Sequence, residues 1–158
     1  MSFFNHKFVV APFVFLLILP TNTHFVQAAE ETPPLTKCFI RIDNPHLSKS
    51  IKQIRDFDAV KVNAISICDR DVWSLTITVE IRKTGFLRNH EVAKRTLKRE
   101  GIIFSNSKVE HKVTWRRCES NRMSSYFGVA YAEAIIEGQR MRTLPVTTAK
   151  TVSLACGT

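Results

Sequence analysis

Trp73-Ser74-Leu75-Thr76-Ile77-Thr78-Val79-Glu80-Ile81 alternates apolar and polar residues without a break. A strand sends successive side chains to opposite faces. The run therefore reads as a half-buried strand, with Trp73, Leu75, Ile77, Val79 and Ile81 toward a core and Ser74, Thr76, Thr78 and Glu80 toward solvent. The same period recurs on both sides. Cys38, Ile40 and Ile42 alternate with Phe39, Arg41 and Asp43, and Val60, Val62 and Ala64 alternate with Lys61 and Asn63. Val109, Val113 and Trp115 alternate with Lys112, Thr114 and Arg116. Residues 126–136 are apolar on both faces, with Gly128, Ala130, Ala132 and Ala134 on one side, as expected of a central strand under a close-packed neighbour. Leu144 and Val146, then Val152 and Leu154, predict a last strand bent near Pro145 or at 147–149. About seven strands joined by short turns predict an all-β fold, a single antiparallel β-sandwich of immunoglobulin-like type.

Two stretches depart from the period. Leu47, Ile51 and Ile54 stand at helical spacing and predict a short helix or turn in the connection at 45–58. Residues 91–100 (EVAKRTLKRE) have helical propensity, but Val92, Ala93 and Leu97 are too few to bury a helix face. A charged edge strand is expected there, and its lysines and arginines would also discourage edge-to-edge association.

The first 28 residues read as a cleavable export signal. Lys7 precedes an apolar run over 8–19, Pro20 ends it, and Val26-Gln27-Ala28 fits a cleavage site after Ala28 or Ala29. The run is shorter than the roughly 20 residues of a membrane-spanning helix. The expected product is secreted, carries no transmembrane anchor, begins with a loose arm at 29–36 and has one domain at 37–158.

The four cysteines, Cys38, Cys68, Cys118 and Cys156, each end a strand-like run, and none lies in a C-x-x-C pair. An even count in an exported chain favours disulfides over metal. If the first two strands pair antiparallel with Ile40 opposite Ser66 and Ile42 opposite Ala64, Cys38 falls opposite Cys68. Cys118 and Cys156 then remain. The strands they end are expected to flank the central strand at 126–136 and finish together at its starting edge, with a turn at 119–124. Each bridge would stabilise by roughly 3–4 kcal/mol through the unfolded state.

The chain has 23 Lys+Arg and 14 Asp+Glu, a net charge of +9. Removing the leader with Lys7 lowers this by one. Residues 82–122 hold twelve cations (Arg82, Lys83, Arg88, Lys94, Arg95, Lys98, Arg99, Lys108, Lys112, Arg116, Arg117 and Arg122) against four acids. The whole excess therefore sits in that segment. A basic segment is either a solvated edge or a contact for an anionic partner. Outside a cell that partner would be an anionic envelope polymer, an acidic lipid headgroup or an acidic protein. Nucleic acid is disfavoured, because the run lacks interleaved aromatic residues for base stacking.

No motif carries chemistry. Asp43-Asn44-Pro45-His46-Leu47-Ser48 gathers Asp, His and Ser, but triads are assembled from distant positions. A turn capped by Ser48 is the expected use. His46, His90 and His111 match no metal-ligand spacing and read as surface residues. Glu133 shares a face with Phe127, Val129, Tyr131 and Ile135, and an arginine is its expected partner. The tryptophans are expected to pack in the core. No catalytic, metal or cofactor residues are assigned.

Pro45-His46-x-Ser48, Cys68 after a strand, the strand at 73–81 running into Arg82-Lys83-Thr84-Gly85, Cys118, Tyr126-x-Gly128 with alternating alanines, and Cys156 follow one another in that order. This order resembles small exported actinobacterial β-rich proteins with four cysteines and no assigned function. The resemblance spans about residues 38–156 and implies an extracellular β domain in a Gram-positive setting, with no catalytic residues to carry over. The expected function is a secreted, disulfide-stabilised binding module using the basic 82–122 segment. The alternatives are a small secreted hydrolase with an unrecognised site or a purely structural extracellular component.

Overall fold

A computed structural model describes residues 38–158; the expected leader at 1–28 and arm at 29–36 lie outside the described residues. The elements, in chain order, are β1 (Cys38–Ile42), β2 (His46–Leu47), α1 (Lys49–Arg55), β3 (Ala59–Cys68), β4 (Val72–Lys83), β5 (His90–Ile103), β6 (Lys108–Arg117), β7 (Ser120–Ile136), β8 (Gln139–Arg142), β9 (Val146–Thr147) and β10 (Val152–Gly157). They make two sheets with every pairing antiparallel. In the first, β3 has β6 on one edge and, along the other, β1 and β2 in succession. In the second, β4 lies between β5 and β7, and the far edge of β7 is covered by β8, β9 and β10 in turn. No helix among the described residues is long and apolar enough to cross a membrane.

The alternating sequence of β4 produces its burial. Leu75, Ile77, Val79 and Ile81 are buried and lie opposite Ala134, Ala132, Ala130 and Gly128 of β7. Those small residues let the first sheet come close. A Cβ on Gly128 would stand 2.8 Å from Cδ1 of Ile42 and 2.9 Å from Cγ1 of Val62. The inner faces of the two sheets thus share one core.

α1 occupies the connection at 45–58, where helical spacing predicted it. Ser48 caps it, its Oγ accepting from the backbone N–H of Ile51 at 3.3 Å. Residues 91–100 are strand, in β5, at an edge. Cys38 pairs with Cys68 and Cys118 with Cys156. The first bridge joins directly opposed residues of β1 and β3.

Five expectations need correction. There are ten strands among the described residues, not seven, because β2, β8 and β9 add short pieces. The chain at 108–117 does not flank the central strand. β6 pairs with β3, so Cys118–Cys156 links the two sheets rather than two strands of one sheet. Period two fixes which face a residue takes, not which sheet its strand joins. No turn occupies 119–124, since β7 begins at Ser120. Trp73 leaves the core row and is 61 % exposed, with Val72 buried in its place. The ladder shifts between Val72 and Ser74, where β5 carries an extra residue, and the alternation of β4 breaks there. A second bulge, opposite Val62 and Ala64, does the same to β6. It turns His111 and Thr114 inward, leaves Val113 exposed and Trp115 half-buried, and overturns the surface reading of His111.

The two bridges close opposite ends of the body. Ala59 of β3 lies beside Arg117, whereas Ile67, next to Cys68, lies beside Lys108. Tyr126, fully buried, braces the Cys118–Cys156 end by donating its hydroxyl to the carbonyl of Cys156.

Candidate functional site

β5 sorts its cations by register. Lys94, Thr96 and Lys98 stand opposite Glu80, Thr78 and Thr76, on the outer face of the second sheet. Arg95, Leu97 and Arg99 stand opposite Val79, Ile77 and Leu75, on the core side. Leu97 packs against the core, while Arg95 and Arg99 remain exposed at the sheet edge. There the two sheets open toward β6. A cavity of about 470 Å³ is lined by Arg99, Lys108 and Lys112, with Glu100 and Glu110 beside them.

Local acids neutralise part of this charge. Lys98 meets Glu100 at 2.6 Å, Lys112 meets Glu110 at 2.5 Å, and Arg116 meets Glu119 at 2.9 Å. On the outer face, Glu80 is buried and takes two cations, Arg82 at 2.7 Å and Lys94 at 2.9 Å. Burial pushes the Glu80 carboxyl up, but the hydrogen bonds from Lys94 and Arg82 outweigh it and hold the group below its ordinary value. The same contact raises the Lys94 ammonium. The Glu100 carboxyl is lowered by its hydrogen bond from Lys98.

Other cations meet backbone oxygens or rings. Lys83 donates to a backbone oxygen of Thr158 at 2.6 Å, and Arg95 to the carbonyl of Lys94 at 2.9 Å. Arg117 stacks 4.8 Å from the Phe57 ring centroid. Among the described residues, Arg88, Arg99, Lys108 and Arg122 form no ion pair with an acid.

The structure therefore divides the basic segment in two. Arg95, Arg99, Lys108 and Lys112 gather along the open edge. Lys83, Arg88, Arg116, Arg117 and Arg122 lie at the Cys118–Cys156 end, with Arg82 and Lys94 tied to Glu80 between them. The sequence reading missed a contribution from α1. Arg55 stacks 5.2 Å from the Trp115 ring centroid, which also meets Phe57 at 5.9 Å. The helical spacing at 47–54 predicted the turn that carries Arg55, but not the strand it would cover.

The remaining candidates are occupied structurally. His46 hydrogen-bonds the carbonyl of Asn44 at 3.1 Å, and Ser48 serves as the helix cap. Glu133 has the arginine expected for it, Arg142, at 3.7 Å, and Arg142 also stacks on Tyr131. His111 is fully buried, and burial pushes its imidazole down from the ordinary value. Among the described residues its Nε2 and the nearby Ser66 Oγ have no hydrogen-bond partner. No protein family, curated protein or solved structure matches this chain.

Proposed function

We propose that the chain is an exported, disulfide-stapled binding module that holds an anionic partner against its cationic edge. The observation that carries this reading is the meeting of Arg99 and Lys108 at one opening, with Arg95 farther along the same face of β5. They come from edge strands of two different sheets, stay exposed, and have no acidic partner. Unmatched cations around one opening attract a polyanion and hold it by summed, salt-sensitive attraction. Two disulfides suit an oxidising, extracellular setting.

The immunoglobulin-like reading of the fold rests on the seven longest strands. β1, β3 and β6 form one layer and β5, β4, β7 and β10 the other. In constant-type domains the first, second and fifth strands share a layer, as do the third, sixth and seventh. Here the fourth strand, β5, sits beside the third. The bridge between second and sixth strands and the buried tryptophan of antibody domains are replaced by other bridges and an exposed Trp73.

Heparin, a soluble polyanion, tests the binding reading. The oxidised protein should bind it at low salt and release it progressively toward physiological salt. The triple variant Arg95→Glu, Arg99→Glu, Lys108→Glu should bind at least about tenfold more weakly. Binding that ignores salt, or a triple variant eluting with the parent, would sink the proposal.

A further inference from the structure

We propose that the loop joining β4 to β5 is a tip that inserts into membranes bearing anionic phospholipid headgroups. This rests on the anionic-partner reading above and adds a partner class and a second contact. Phe86 is 102 % and Leu87 90 % exposed, so two adjacent large apolar side chains stand wholly in water at the crest of a hairpin. Scattered exposed apolar residues are ordinary, but a contiguous projecting pair marks an interaction site. The chain turns tightly at Gly85, where a side chain would run into the carbonyl of Arg88.

Cations outnumber acids at its base, where Glu119 shares a hollow with Lys83 and Arg122. Lys83 and Arg88 flank the apolar pair, and no acid occurs in residues 82–90. Lys83 pairs with Tyr126, and the N–H of Thr84 donates to the carbonyl of Ser125 at 2.9 Å. Continuing that register brings Met123, 65 % exposed, level with Phe86, and Arg122 just beyond. An apolar crest above a cationic collar matches the layering of a bilayer, hydrocarbon beneath phosphate. The tip is convex, and a lipid surface needs no preformed pocket to receive it. The favoured occupant is therefore an anionic bilayer rather than a protein.

The test uses the oxidised chain and sedimentation with vesicles containing about one-third phosphatidylglycerol in phosphatidylcholine, against pure phosphatidylcholine. The parent should bind the anionic vesicles and not the neutral ones. Phe86→Ser with Leu87→Ser should weaken vesicle binding about 30-fold. Its melting temperature and heparin affinity should stay unchanged, because both side chains are outside the core and the open edge. Vesicle binding equal to the parent's in that variant overturns insertion. A parent that binds heparin but not anionic vesicles overturns this proposal alone, and one that binds neither overturns both. A concentration-dependent dimer abolished by the double variant, without vesicle binding, would make the tip a contact between copies of the chain and also overturn it.

Discussion

The two ends of the β domain are closed alike and furnished differently. At the Cys38–Cys68 end, the connections carry Asp69, Asp71 and Glu137, and Arg70 reaches two of these acids, Asp69 at 3.7 Å and Glu137 at 3.1 Å. The hairpin there turns through Glu137 and Gly138, both at positive φ (51° and 78°), as the two-residue loops that match strand twist require. At the Cys118–Cys156 end stand Lys83, Arg88, Arg117 and Arg122, with α1 and its Arg55 nearby, and the apolar tip projects from the same side. Lys108 apart, charge is matched locally at the first end, whereas Arg88 and Arg122 are left over at the second. The resulting polarity would orient the protein, basic end first, toward an anionic surface. The staples set the frame, and the difference in charge gives it a direction.

Removing a staple should have the largest effect. Cys118→Ala with Cys156→Ala, or Cys38→Ala with Cys68→Ala, should each cost about 3–4 kcal/mol, lowering the melting temperature by roughly 10–15 °C. The loops they close, with separations of 38 and 30 residues, are too similar for chain entropy to separate them. Binding should separate them. Loss of the Cys38–Cys68 bridge loosens the end of β3 that holds Lys108 through β6 and should weaken heparin binding of the folded protein, whereas loss of the Cys118–Cys156 bridge, at the far end of β6, should not. Equal weakening by both would show that the ends do not act independently.

The core between the ends gives the next effect. Gly128→Ala places a methyl against Ile42, Val62 and Cγ2 of Thr148, all within 3.0 Å. Overpacking of this kind should cost about 1–3 kcal/mol, read from the shift in urea midpoint. The packing is central, so heparin affinity per folded molecule should not change. A change would mean that the spacing of the sheets sets the cationic opening between β5 and β6.

What the sequence revealed follows the same division between regular and irregular strands. β1 and β3 pair without a bulge, so counting residues was enough to place Cys38 opposite Cys68. His111 and Thr114 were misplaced because an extra residue in β6 reverses the side chains beyond it, and Trp73 because it lies where the β4–β5 ladder shifts. The cationic segment was visible as composition, but its neutralisation was not. Glu80 meets Lys94 only through the β4–β5 register, and no local pattern specifies a cross-strand ion pair. Phe86 and Leu87 were equally visible, but in a turn an apolar pair reads the same whether it folds back or projects.

Acid should remove stability in two phases, the smallest of these effects. Burial keeps His111 neutral in the fold, with its pKa below the ordinary value of 6.5, while backbone hydrogen bonds involving His111 and Arg95 oppose this only in part. Once the pH falls below that value, the unfolded chain binds a proton the folded chain refuses. Stability is therefore complete above about pH 6.5 and declines as the pH drops toward the folded value. Glu80 titrates later. Its folded pKa lies below 4.5, so its contribution is full above that pH and lost as the pH falls through the folded value. His111→Leu should erase the first phase and Glu80→Gln the second, measured as urea midpoints between about pH 7.5 and 3. A first phase surviving in His111→Leu would place the titration on another group. Glu80→Gln also bears on the comparison of the ends. At neutral pH it should cost about 1 kcal/mol, yet it releases Arg82 and Lys94 from their shared acid. If unmatched charge is what distinguishes the basic end, this less stable variant should bind heparin a few-fold more tightly than its parent.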